Sequence, residues 1–364
     1  MRFPDGSPSQ PGRPQRGGSK TERPAAPRPQ PDLLIADLGG TNLRIARRDG
    51  RGRTVLLGRF ATHEIGDLPD LLRRVWLKAA GRVPAALAIA VAGPIDHGAG
   101  QALLTNHPAL AISSAAIARA LGLRGIAMVN DLAAQAMGLA LGAGGTREMV
   151  APGTPDDEAP RLLIGLGTGF GTALILPGRG GLPQVVPAEG GHVTLAAETA
   201  AEWAVIEAAR PLPGTAGVND HVSAEDLVSG HGLPRLAAAV AAVRGLAPVQ
   251  GEAEAVTEAA LAGDAGAREA FELFSGWAGA VAGDLAIATG ARGGVVLSGD
   301  LLHRLGGLFD RRRAAARFRA KGRFSGYLAN VPLELAPAGD DLAFAGLTGI
   351  ADAVAAREAG PVFD

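Results

Sequence analysis

Apolar residues occur along this chain in two patterns, as short unbroken runs and as runs spaced for one face of a helix. The segment LLIADLGGTNLRIARRDG, beginning at Leu33, reads as a strand, a glycine-rich turn and a second strand. Ala85–Ile95 (AALAIAVAGPI) is a continuous apolar run of the buried-strand type. Ser113–Leu123 opens with a serine cap and continues with helical spacing. Gly125–Val129 is a further buried strand, and it ends at Asn130-Asp131. The next segment, DLAAQAMGLALG, predicts a helix with Asp131 at its N-terminus. Arg161–Leu176 again reads as strand, glycine-rich turn and strand. From Ala197 the pattern is mostly helical, with a long helical stretch from Glu252 to Thr289. Gly293–Leu302 predicts a strand that breaks at Gly299, VPLELAP a late strand, and AFAGLTGIADAVAARE a closing helix.

The strand–turn–strand segments at Leu33 and Leu162 echo each other, which predicts two similar lobes, each with a glycine-rich hairpin at its mouth. Two such hairpins facing across a cleft would hold a polyphosphate from both sides. A length of 364 residues agrees with two domains, since single cores stop growing near 250–300 residues. The expected division is a small α/β lobe over 32–140 plus 344–358 and a large α/β lobe over 141–343. Residues 1–31 differ: they are rich in proline and arginine and poor in apolar side chains, so disorder is expected there. Such a basic tail suits RNA or an acidic surface; a solvated extension is the simpler reading.

Charge and cysteine content narrow the classes. Thirty-five Lys+Arg against 36 Asp+Glu exclude an overall basic nucleic-acid binder and an acidic disordered chain. The absence of cysteine excludes disulfides, thiolate zinc sites and a cysteine nucleophile. No uncharged apolar run reaches the roughly 18–20 residues of a membrane-spanning helix, and the N-terminus carries no apolar signal region. A cytoplasmic protein with neither a nucleic-acid nor a membrane partner is therefore expected.

Gly39-Gly40-Thr41 and Gly167-Thr168-Gly169 form the two turns. Glycine lets backbone amides approach phosphate oxygens, and threonine hydroxyls add donors; a tight hairpin also needs glycine. Neither the Rossmann glycine spacing nor the Gly-Lys-Ser/Thr of a P-loop is present in the globular part. Asp37, just before the first turn, suits a carboxylate facing Mg²⁺ through water, or a turn-capping acid. Asn130 and Asp131 end a buried strand where α/β folds place their sites, and a general base there would be one fixed carboxylate. They are also good helix caps. Glu189 and His192 in EGGH form a compact loop with both groups on one side, without a third zinc ligand nearby. Glu225, after Ser223, looks like an ordinary first-turn helix acid.

These segments together resemble bacterial glucokinases of the non-repressor type, within the hexokinase/actin/sugar-kinase superfamily. The resemblance covers roughly Leu33 to Ala355 and rests on DLGGTNLRIA, IAVAGPI, LTNHP, VNDLAAQAMGLA, GLGTGFGTALI, AEGGHVTLA, HVSAEDLVSG, GGVVLSGDLLHR and AKGRFSGYL. The repressor-containing branch carries a cysteine-rich zinc motif that this chain lacks. The resemblance implies two RNase H-like lobes with a cleft between them, and ATP- and Mg²⁺-dependent phosphorylation of D-glucose at O6. It implies that Asn130 and Asp131 bind sugar hydroxyls, with Asp131 as general base, and that Glu189, His192 and Glu225 are further sugar contacts. It assigns Asp37, Gly39, Gly40 and Thr41 to a first phosphate segment, Gly167, Thr168 and Gly169 to a second, and Gly299 to an adenosine segment. It also favours a homodimer. Two positions depart from the family pattern: Ala109 where an aromatic residue is common, and Asp300 where a second glycine follows Gly299. A glucose sensor without transferase activity, and a kinase for mannose or fructose, are the alternatives.

Overall fold

The computed structural model describes residues 31–104, 107–178, 183–210, 221–337 and 342–356. The expected disorder of residues 1–31 lies, apart from Pro31, outside them. The chain begins with an antiparallel meander, β1 (Leu33–Leu38), β2 (Asn42–Arg48) and β3 (Thr54–Ala61), and then α1 (Leu68–Ala80). β4 (Ala86–Val91) returns parallel to β1. The apolar run expected to continue to Ile95 breaks at Ala92-Gly93-Pro94, because proline has no amide for the ladder. Its last residues instead start a small sheet of β5 (Ile95–Asp96), β6 (Gln101–Leu104) and β7 (His107–Ser113). Ser113 then caps α2 (Ser114–Leu121) by accepting from the Ala116 amide. β8 (Ile126–Asn130) and α3 (Asp131–Ala140) follow.

The second half repeats the arrangement. β9 (Glu148–Ala151) precedes the hairpin β10 (Arg161–Leu166) and β11 (Phe170–Leu176), followed by β12 (Gln184–Ala188). Helices α4 (Ala200–Ala209), α5 (Ala224–Leu227), α6 (Gly232–Arg244), α7 (Ala253–Ala262) and α8 (Ala265–Thr289) come next. The long helical stretch is thus two helices. It breaks where Gly263 takes a left-handed φ and Asp264 caps α8. β13 (Val295–Ser298), α9 (Asp300–Leu305), α10 (Arg311–Arg319), α11 (Ser325–Ala329), β14 (Leu333–Leu335) and α12 (Leu342–Ala356) complete the fold.

The two main sheets have matching orders, β3-β2-β1-β4-β8 and β12-β11-β10-β13-β14, with β9 added antiparallel to β14. In each, a hairpin meander is extended on one side by parallel strands. The echo between Leu33 and Leu162 is therefore a structural repeat. Helices α3 and α12 lie between the sheets, and one buried cluster joins Ile35 and Ala88 of the first sheet to Leu163 and Val296 of the second through them. Arg48 of β2 also pairs with Asp352 of α12, so the closing helix is bound to the first sheet.

The two helices cross at glycines. A Cβ on Gly346 would lie 1.9 Å from the Ala134 carbonyl oxygen, and one on Gly138 would lie 2.0 Å from that of Leu342. Backbone, not side chain, meets backbone at this crossing. Gly346→Ala should therefore destabilise the protein by about 1–3 kcal/mol or more, read as a lower denaturant midpoint at unchanged slope.

Candidate active site

Asp131 is the first residue of α3, placed there by Asn130 at the end of β8. Asn130 acts as the N-cap, its Oδ1 accepting from the amides of Leu132 at 2.9 Å and Ala133 at 3.3 Å. The Leu132 amide also donates to Asp131 Oδ1 at 2.9 Å. The cap and the candidate base thus share one donor, and the capping role and the chemical role expected for this pair coexist.

Asn130 and Asp131 line a cavity of about 320 Å³ between the two sheets, at the small end of ligand pockets. Gly93, Pro94 and His97 line it from the first half of the chain, and Gly171, Thr172 and Glu189 from the second. Burial raises the Asp131 carboxyl to a pKa of about 6, and the nearby charges of Asp37 and Glu189 push in the same direction. The Leu132 hydrogen bond opposes them without cancelling them.

Both glycine turns have the same polar plan. In the first, the Gly39 carbonyl accepts from the Thr62 hydroxyl at 2.9 Å and the Thr41 carbonyl from the Thr62 amide at 2.8 Å. In the second, the carbonyls of Gly167 and Thr168 accept from the amides of Gly230 at 2.8 Å and His231 at 3.1 Å. Carbonyls are consumed by the lobe behind each turn. The amides of Thr168 and Gly169 have no backbone acceptor among the described residues. Turns of this kind present positive edges outward and suit an anion.

Asp37 is held by Arg44, whose Nε and Nη2 donate to Asp37 Oδ2 at 3.0 and 2.6 Å. The guanidinium also lies 4.7 Å from the Phe344 ring of α12. Sequence reasoning missed Arg44, although counting back across the turn pairs it with Asp37 in the β1–β2 register. Among the described residues no group of three His, Cys, Asp or Glu is placed to hold a metal ion. A hydrated Mg²⁺ fits here only as an ion carried by phosphates, with Asp37 as an outer carboxylate.

Glu189 and His192 lie 3.9 Å apart, both well exposed, at the ends of a short 3₁₀ turn. Its glycines allow close packing. A Cβ on Gly191 would lie 2.0 Å from the Phe170 carbonyl oxygen, and one on Gly190 2.7 Å from Thr172. Thr172 was not singled out from the sequence; its hydroxyl donates to the Ala188 carbonyl and accepts from the Gly190 amide, fixing this turn on β11. Glu189 lines the cavity, whereas His192 does not.

Glu225 is brought to the second turn. Ser223 and Asp226 form the capping box of α5, which leaves Glu225 free to point away from its helix. Its Oε2 accepts from the Phe170 amide at 2.7 Å and lies 2.6 Å from where a Gly169 Cβ would sit. Gly299 packs against β10 at φ +114°, where a Cβ would lie 2.1 Å from the Leu166 carbonyl oxygen. Asp300, the first residue of α9, is exposed. Ala109 is exposed on β7.

The sequence model of the glucokinase family matches residues 34–356. This chain belongs to the glucokinase family. It is 36% identical over 332 residues to the glucokinase of Cupriavidus metallidurans, covering 89% of this chain and 93% of that one. The crystal structure of a glucokinase from an Antarctic psychrotroph superposes with a TM-score of 0.76 at 30% identity, covering 88% of this chain and 98% of that one. The fold is also shared, at 23% identity and a TM-score of 0.56, with a ROK-family glucokinase from Streptomyces griseus solved with glucose and AMPPNP, over 90% of this chain and all of that one. The expected two-lobed sugar-kinase fold is thus established. Among the described residues no helix is long and apolar enough to cross a membrane.

The raised pKa has a stability consequence with a definite sign. Asp131 binds its proton more tightly folded than unfolded, so between about pH 4 and 6 stability falls as pH rises. Above pH 6 the full cost remains. Asp131→Asn should therefore stabilise the protein at pH 7.5 by about 1–3 kcal/mol and by almost nothing at pH 4, measured by urea unfolding at the two pH values.

Proposed function

We propose that this chain transfers the γ-phosphoryl group of ATP to O6 of D-glucose, with Asp131 as the general base. Family membership supports the reaction, and the observation supporting the assignment of the base is Asp131 in the inter-sheet cavity with a pKa of about 6. A base poised near the working pH is ionised when the sugar arrives yet still basic enough to accept a proton.

The cavity holds the hexose, with the Asn130 side-chain amide positioned to donate to its hydroxyls and the Glu189 carboxylate to accept from them. His192 and Glu225, which lie outside the cavity lining, join the sugar contacts when the lobes close. The free amides of the second turn, together with Gly39, Gly40 and Thr41 of the first, bind the phosphates of ATP. Gly299 admits the nucleotide's adenosine end beside β10. Asp37, fixed by Arg44, would face a hydrated Mg²⁺ bound to the phosphates, which would supply charge neutralisation. As O6 attacks the γ-phosphorus, its proton passes to Asp131 and the bond to the ADP oxygen breaks. Positioning and charge balance carry most of such a transfer, and closure of the cleft keeps water from competing for the phosphoryl group.

Asp131→Asn should lower kcat by about 10²–10⁴-fold while glucose binding, followed by calorimetry, survives. Near-normal turnover would remove Asp131 from the role of base. In the wild type, kcat/KM for glucose should fall tenfold per pH unit below about pH 6, since the protonated carboxyl cannot accept. A coupled assay with MgATP and a panel of glucose, mannose and fructose checks the sugar: glucose should give the highest kcat/KM. No turnover with any of the three would favour a sugar sensor.

A further inference from the structure

Leu132 follows the base in sequence, and its side chain crosses to the other sheet. It is 7% exposed. Its Cδ1 lies 2.6 Å from where a Cβ on Gly165 would sit, and its Cδ2 3.0 Å from that of Gly171. Gly165 and Gly171 are register partners on β10 and β11, one pair before the pair that closes the hairpin at Leu166 and Phe170. Glycine in a strand interior weakens the strand and marks a close approach by another group. Here two glycines stand opposite each other, and the group that approaches both is one leucine from the first half of the chain.

The backbone of Leu132 is held as firmly as its side chain, because its amide serves both Asn130 Oδ1 and Asp131 Oδ1. The same residue therefore touches the base at one end and, at the other, the hairpin whose turn is Gly167-Thr168-Gly169. This contact links the base to the phosphate turn directly, beside the wider packing of α3 on the second sheet. Gln135, one helical turn on, adds a polar tie to the second sheet through its Oε1, which accepts from the Ser298 hydroxyl at 3.3 Å.

We propose that Leu132 is a positioning residue for phosphoryl transfer: seated in the notch formed by Gly165 and Gly171, it fixes the Asp131 carboxylate relative to the second phosphate turn. This rests on the reading of Asp131 as the base. Displacement by a fraction of an ångström matters, because attack needs the reacting atoms about 3–3.5 Å apart and in line. Gly165, unlike Leu132 and Gly171, does not line the cavity that Asn130 and Glu189 face, so a substitution there reports on turnover more than on sugar binding.

The test is a double-mutant cycle on the full chain, reading kcat, KM for glucose and the acid limb of kcat/KM. Gly165→Ala puts a methyl where Leu132 Cδ1 lies and should lower kcat about tenfold or more, with KM for glucose changed less than about threefold. In the Leu132→Ala background the methyl has room, and Gly165→Ala should then change kcat by less than about twofold. Leu132→Ala by itself should also move the acid limb to lower pH, because water reaches Asp131; Glu189 and His97, which face the cavity, and Asp37, whose charge also acts on Asp131, are unchanged by it. A merely structural leucine would lower the melting temperature and leave that limb in place. Equal kcat effects of Gly165→Ala in both backgrounds, or an unmoved acid limb, would overturn the proposal. If Gly165→Ala fails to fold, Gly171→Ala, with its milder 3.0 Å approach, enters the same cycle with the same criteria. Asp131→Asn separates the two claims: retained turnover there removes the base, whereas the coupling between positions 132 and 165 is read independently of it.

Discussion

A carboxylate withdrawn from water, with two other carboxylates close enough to disfavour its charge, is the constraint on which this structure depends. Asp131 is held in that state by burial, by Asp37 and by Glu189. The arrangement opposes folding at neutral pH, so the scaffold around it must be strong enough to impose it. The Asn130 cap, the shared Leu132 amide and the close crossing of α3 on α12 supply that rigidity. The neighbouring acid is placed differently, since Arg44 donates two hydrogen bonds to Asp37 Oδ2. One cleft thus holds one carboxylate that burial makes reluctant to ionise and another paired with a guanidinium, so that chemically identical groups stand in different surroundings.

The glycines show a second economy. Several of them mark places where backbone approaches backbone. Gly191 against Phe170, Gly299 against Leu166 and Gly346 against Ala134 leave no space for a methyl group. A protein with few aromatic side chains (4% of residues) reaches a dense interior by bringing its elements close together with small residues. The notch that receives Leu132 belongs to the same design.

Much of this was legible in the sequence. The paired hairpins at Leu33 and Leu162 follow from apolar runs around glycine turns, and Asn130-Asp131 was visible as a polar pair ending a buried strand. Strand alternation and turn chemistry are local, so they survive in one dimension. The break after Ala92 was legible too, had the proline been weighed above the apolar run. What could not be read is which side chain meets which across the cleft. Nothing local in HVSAEDLVSG says that Asp226 takes the cap and releases Glu225 toward Phe170. Nor does anything local to Leu132 announce glycines more than thirty positions away. Thr172 and Arg44 have their roles only once the register of their strands is known.

The last helix has a consequence for how the molecule comes into being. α12 covers the face of the first sheet, and its Asp352 meets Arg48 across 304 positions of chain. During synthesis the strands of the first sheet therefore emerge long before the helix that shields their apolar face. The first sheet must wait, with one side open, until that helix has been made. Its completion is a late, long-range event, and the nascent protein is most vulnerable to wrong association during that interval.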